Sequence, residues 1–224
     1  MKQLLDNFPC YAIMTPYRRK EGFCMFDETS YQDVDFRDAQ IQEDSLCGLR
    51  FVRCQFDGAD FSRIRLEGCR FENCQFHGTD FNGVEAVRCV FVNCSFLYAN
   101  CFAAEFHDCK MTGTSFESAT TTAIRIDRGD WRMTEMVEMD LSGEKINDIN
   151  FSGASLRQCR FDKTVLRNCD FTGADIRGAS FKGADLRSCT LDQLNLSLAD
   201  FKGAKIDLTQ AVAFAETFGV KVFP

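Results

Sequence analysis

The sequence predicts an all-β solenoid of stacked coils, finished by a single C-terminal α-helix. Three observations predict it. The first is an apolar residue at every fifth position from Phe26 to Ile206, as in Phe51, Phe56, Phe61, Leu66, Phe71 and Phe76, and later Phe151, Leu156, Phe161, Leu166 and Phe171. The second is a small residue two places before most of these centres, among them Cys54, Ala59, Cys69, Cys74, Ala174, Ala179 and Ala184. The third is a helical spacing of apolar residues that begins only after Asp207. A period of five fits neither the 3.6 of a helix nor the two of a strand, so each unit forms one side of a coil. Of the 23 Phe, 17 fall on the central position, which generic core placement does not produce.

Residues 1–25 read as an N-terminal cap. They hold Tyr11, Ile13, Met14, Tyr17 and the basic run Arg18-Arg19-Lys20, and the end of a solenoid has to be covered. Asp6, Pro9 and Pro16 break any apolar run there, so a secretory signal is not expected. Residues 26–206 form one continuous body, because a linker would disturb the phase. Between Thr120 and Glu144 the repeat is irregular: Thr121 is a polar centre, Trp131 is oversized, and Met139 and Glu144 occupy slots for small residues. Either these coils bulge, or a loop with a length divisible by five is inserted. Ala86 is an undersized centre, and Asp44 puts a charge in a small-residue slot. In residues 207–224, Asp207 or Thr209 can cap a helix and Gly219 can end it. Leu208, Ala211, Val212, Ala215 and Phe218 share a face, with Phe214, Val220, Val222 and Phe223 adding apolar surface. Such a helix folds over the last coil or joins a second copy; the excess apolar surface favours a homodimer with Leu208, Val212, Phe214 and Phe218 at the seam.

Composition excludes several classes. Ten of the 13 Cys, such as Cys89, Cys94, Cys109, Cys159, Cys169 and Cys189, occupy the small slot, where a thiol acts as a compact hydrophobe. No Cys-x-x-Cys pair points to zinc, and so many reduced thiols fit a cytoplasmic location. No stretch is long enough to span a membrane. A net charge of −7 argues against binding nucleic acid directly. His77 and His107 lie thirty residues apart, and no catalytic, metal or cofactor constellation accompanies them, so no enzymatic activity and no cofactor is expected.

The segments Gly58-Ala-Asp-Phe-Ser, Gly173-Ala-Asp-Ile-Arg and Gly183-Ala-Asp-Leu-Arg, with Ala199-Asp-Phe-Lys-Gly, resemble the pentapeptide-repeat family. The resemblance implies a right-handed quadrilateral β-helix with four pentapeptides per coil, its centre and small residue pointing inward. The tail Ala204-Lys-Ile-Asp-Leu-Thr-Gln-Ala-Val-Ala-Phe-Ala, followed by Phe218-Gly-Val, is similar to the C-terminal helix of mycobacterial MfpA and Qnr-type quinolone-resistance proteins. That likeness implies a dimer that mimics DNA and binds DNA gyrase or topoisomerase IV. It departs in a longer lead-in, and in having no register break to announce the loops of many Qnr proteins.

Sorted onto four faces, the outward residues leave one wall acidic: Asp35, Asp38, Asp57, Glu117, Glu135, Glu138 and Asp175 against Arg37, Arg157 and Arg177. This wall is the expected partner surface. Duplex DNA of the same length, about 43 Å for nine coils, would carry about 25 charges, so the chain is a weak polyanion. The competing expectation is a scaffold for a different protein, recognised through the irregular coils near Trp131.

Overall fold

The structure is a computed structural model that describes residues 25–223; the lead-in through Cys24, read above as a cap, lies outside the described residues. Its main chain winds with one register throughout. Ser30 pairs with Arg50, Arg50 with Arg70 and Arg70 with Val90, all in parallel. Isolated bridges continue the step of twenty residues as far as Asp185 and Lys205. Twenty residues at five per side give four sides to each coil.

Each side is a short extended piece and a turn. In the turn at Phe56, the Ala59 N–H donates to the Phe56 carbonyl at 2.9 Å, and Gly58 between them has φ +69°. The residue two places after the centre takes this left-handed conformation almost everywhere, in Asp38, Arg53, Asn73 and Tyr98 as well as in glycines. A type II turn needs positive φ at that position. The polar residue before the centre holds the turn from outside. Asp60 accepts from the Ser62 N–H at 2.8 Å, Asp80 from Asn82 at 2.9 Å and Asp170 from Thr172 at 2.9 Å. This accounts for the recurrent Asp or Asn there.

Inside, rings stack at the interval of the ladder. Phe36, Phe56, Phe76, Phe96 and Phe116 follow one another with centroids 5.1, 5.1, 4.8 and 5.0 Å apart, nearly parallel. Tyr31, Phe51, Phe71 and Phe91 form a second column at 5.3, 5.0 and 4.8 Å, and the two columns meet edge to face. Parallel strands lie about 4.8 Å apart, so offset-stacked rings and main-chain bonds are satisfied by the same spacing. The small slot does more than save space. Thr79 and Thr164 donate their hydroxyls to the Phe56 and Leu141 carbonyls at 2.7 Å, and the Cys69 thiol points likewise at the Leu46 carbonyl at 3.3 Å.

The irregular coils bulge; no loop is inserted. Bridges run Gln40–Asp60–Asp80–Asn100–Thr120, stop, and resume at Asp140–Arg160. Thr120 N–H still reaches the Ala99 carbonyl and Arg125 N–H the Ala104 carbonyl, both at 2.9 Å, but one coil higher Asp140 and Lys145 make no equivalent bonds to Ala119 and Ile124. Pairing holds on the remaining sides, through Ser115–Glu135 and Gly129–Ile149. The cause is in the side chains. The column Phe61, Phe81 continues as Cys101 and Thr121, so ring stacking ends one coil below the gap, and the slots for small residues in the coil above it hold Met139 and Glu144. Trp131 takes up interior volume at this level, fully buried against Phe106 and Phe116 at 5.8 and 5.9 Å. Two residues before it Gly129, at φ +133°, leaves no room for a Cβ, which would run into the Cys109 carbonyl oxygen.

The α-helix α1 (Leu208–Thr217) closes the top. Asp207 and Gln210 form a reciprocal capping box, and the Gln210 amide also donates to the Leu186 and Cys189 carbonyls at 2.8 and 2.7 Å. Phe214 packs edge-on against Phe201 at 4.9 Å. Gly219 N–H to the Glu216 carbonyl and Val220 N–H to the Ala215 carbonyl end the helix in a Schellman motif.

Replacing Phe76 with Ala should cost about 3–5 kcal/mol, because its ring is sandwiched in a stack that cannot collapse one layer at a time. A fall in the urea midpoint checks this. Gly129→Ala removes no volume, yet it should also lower the midpoint, by more than about 1 kcal/mol, through strain against the Cys109 carbonyl.

Candidate functional site

The seven acidic residues fall on one wall. The positions before its centres stack as Asp35, Gln55, Gln75, Ser95, Ser115, Glu135, Ser155 and Asp175, each bridged to the next. Asp35, Asp38, Glu117 and Glu138 are exposed, whereas Asp57, Glu135 and Asp175 are half-buried. Arginines on the same wall offset three of them. Arg37 grips Asp35 at 2.5 Å and Arg177 grips Asp175 at 2.6 Å, while Arg157 lies 3.6 Å from Glu135 and 4.0 Å from Asp175. The Arg37 hydrogen bonds hold the Asp35 carboxyl down at about 2, and those from Arg177 lower Asp175. Asp38, Asp57, Glu117 and Glu138 form no ion pair with an arginine among the described residues. Asp57 instead accepts from the His77 N–H at 3.0 Å.

The wall is not uniform. Asp35, Asp38 and Asp57 sit near the start of the rod, while Glu117, Glu135 and Glu138 line a cleft of about 790 Å³ where the coils separate. Asp140, Glu144 and Arg157 line it too. Ala119 and Thr121, whose counterparts Ala99 and Cys101 one coil below are fully buried, are partly exposed in its floor. Sorting by face separated Asp140 and Glu144 from the other acids; the bulge brings them together. The one legible signal was Glu144, an acid in a slot for a small side chain.

At the other end, Leu208 and Phe218 point away from the coil, 84% and 70% exposed, continuous in sequence with exposed Val220, Val222 and Phe223. Val212 is half-buried. Phe214, assigned to the same seam from the sequence, turns inward onto Phe201, and the face against the coil is Gln210, Ala213 and Phe214. Sequence reasoning missed Gln210 because an apolar periodicity gives no weight to an amide that caps carbonyls.

Other reactive groups have structural surroundings. Burial pushes the Cys101 thiol up to about 12, far from nucleophilic range. His77 contacts Ser95 at 3.0 Å, and His107 contacts Glu105 at 3.2 Å. No helix among the described residues is long and apolar enough to cross a membrane.

The sequence model for pentapeptide repeats matches in eight copies, over residues 35–113 and 149–211. The chain belongs to the pentapeptide-repeat family. Its fold is accordingly the right-handed quadrilateral β-helix, with the C-terminal helix appended. The matched residues leave out 114–148, the stretch that holds the cleft. Among solved structures, a trypsin-treated variant of QnrB1, described as a plasmid-mediated fluoroquinolone resistance protein, superposes with a TM-score of 0.74 at 21% identity, covering 87% of this chain and 99% of that one. Full-length QnrB1 gives 0.70 at 22% identity, over 85% and 100%. No curated protein sequence matches the chain.

Asp185, 6% exposed, is held by Arg167 and Arg187, both at 2.8 Å, and their hydrogen bonds set its carboxyl far below the ordinary range. Because the folded value lies below the unfolded value of about 4, this contribution is whole above pH 4 and is lost as the pH falls beneath it. The thermal midpoint should therefore decline from pH 4 towards pH 2. Asp185→Asn should lower stability at neutral pH and flatten that decline; thermal unfolding across this range checks both.

Proposed function

We propose that this pentapeptide-repeat protein is a non-enzymatic DNA mimic that binds a type II topoisomerase, DNA gyrase or topoisomerase IV, and protects it against a poison such as a quinolone. The observation that carries the reading is the set of carboxylates gathered on one wall of a rod, whose heights along the axis are fixed by the twenty-residue register. A fold shared with a fluoroquinolone resistance protein, and a tail similar to those of MfpA and Qnr-type proteins, support it. Fixed spacing matters more than total charge here. A partner that holds duplex DNA meets carboxylates only where its own basic residues sit, and charge complementarity raises the rate of encounter.

The second part of the reading is a homodimer joined through α1, with Leu208, Val212 and Phe218 between copies and Phe214 bracing the helix from behind. Two rods end to end would lengthen the acidic track. The alternative, a scaffold for a partner other than a topoisomerase, draws support from the cleft, whose lining apart from Arg157 lies outside the residues that match the family.

Supercoiling by purified DNA gyrase, and its drug-stabilised cleavage of DNA, are the deciding assays. Micromolar protein should change one or both, the effect should weaken between low and high salt, and Glu135→Lys with Glu138→Lys should reduce it about tenfold or more. Absence of any effect would exclude the topoisomerase reading. Leu208→Asp with Phe218→Asp should give monomers by light scattering; an unchanged mass removes α1 from the seam.

A further inference from the structure

The cleft between the coils at 117–124 and 137–144 is an unfinished sheet. On one wall Ser118, Thr121 and Ala123 present N–H groups that find no carbonyl across the gap; on the other, Asp140 and Lys145 do the same. In the coil below, these positions bond across at 2.8–3.3 Å: Tyr98 to Glu117, Cys101 to Thr120 and Ala103 to Thr122. A volume of about 790 Å³ separates the walls, with the partly exposed Ala119 and Thr121 at its floor. Main-chain groups left open in facing edges are what an added strand satisfies.

The side chains specify what kind of strand. Glu117, Glu135, Glu138, Asp140 and Glu144 line the space, and among the described residues Arg157 is the cation in that lining. Arg157 is already engaged with Glu135, and Asp140 with Arg160 at 3.2 Å. Glu117, Glu138 and Glu144 form no ion pair among the described residues.

We infer that this cleft seats an extended, arginine-bearing peptide segment of a partner protein, which pairs its main chain with the open edges and its guanidinium groups with Glu117, Glu138 and Glu144. Strand alternation suits the lining, since every second side chain can face the carboxylates while the others cover the small, part-apolar floor. The site does not depend on which protein supplies the segment. It therefore stands apart from the topoisomerase reading, and loss of a gyrase effect would leave it untouched.

The probe is a capped heptapeptide of alternating Val and Arg, titrated calorimetrically into the full chain. Saturable one-to-one binding is expected. The same peptide N-methylated at alternate amides, which keeps its charge but cannot complete a ladder, should bind about tenfold more weakly. Replacing its Arg with Glu should abolish binding, and Glu144→Gln should weaken the parent peptide about threefold or more. No heat at millimolar peptide overturns the inference. So does equal affinity for the N-methylated form, which would reduce the cleft to a diffuse electrostatic attraction and involves no altered protein that could fail to fold.

Discussion

Everything in this molecule depends on two interactions sharing one interval. Main-chain bonds between coils and the stacking of aromatic rings both favour a separation near 4.8 Å, and in the columns through Phe76 and Phe71 they coincide within a few tenths of an ångström. A register of twenty residues follows, because any slip would take the rings out of their stacks. Surface residues inherit that register without contributing to it. The solenoid thus offers a lattice on which outward positions are free to carry charge.

Stacking can lapse for one coil without opening the ladder, as at Cys101, where Asn100 still bridges Thr120. At Thr121 the column has no ring to stack, and the ladder opens along that side although the chain remains in phase above and below. Trp131 fills the interior but does not restore the lost contact, since it stacks towards Phe116. Its indole N–H is buried without a hydrogen-bond partner among the described residues. Such a local concession of stability is the kind of departure from regular packing that tends to accompany function.

The periodic part of this architecture was legible because it rests on residue type alone: Phe or Leu at the centre, Ala, Cys or Thr inside, Asp or Asn before the turn. The irregular part was legible as an anomaly but not as a shape. Met139, Glu144 and Thr121 stand out in the sequence, yet a bulge and an inserted loop with a length divisible by five keep the same count, and only the twenty-residue pairings Ser115–Glu135 and Gly129–Ile149 separate them. Assigning acids to faces succeeded for the column from Asp35 to Asp175. It failed for Asp140, because faces are defined for intact coils and the cleft merges two of them. At the C-terminus the cap and the stop of α1 were both readable, whereas its orientation was set by the Gln210 amide, whose role depends on carbonyls left open by the last coil.

The twenty-residue step has a consequence for how such a chain can change. Inserting or deleting one whole coil moves the two ends of the acidic column by about 4.8 Å along the axis and leaves every azimuth as it was. Inserting or deleting a single pentapeptide keeps every centre pointing inward but joins each ring column to its neighbour's, and it rotates everything beyond by a quarter turn, carrying Asp175 to a neighbouring side while Asp35 stays put. Length is therefore tunable in small increments that keep the stacks in line, and helical phase in large ones that do not.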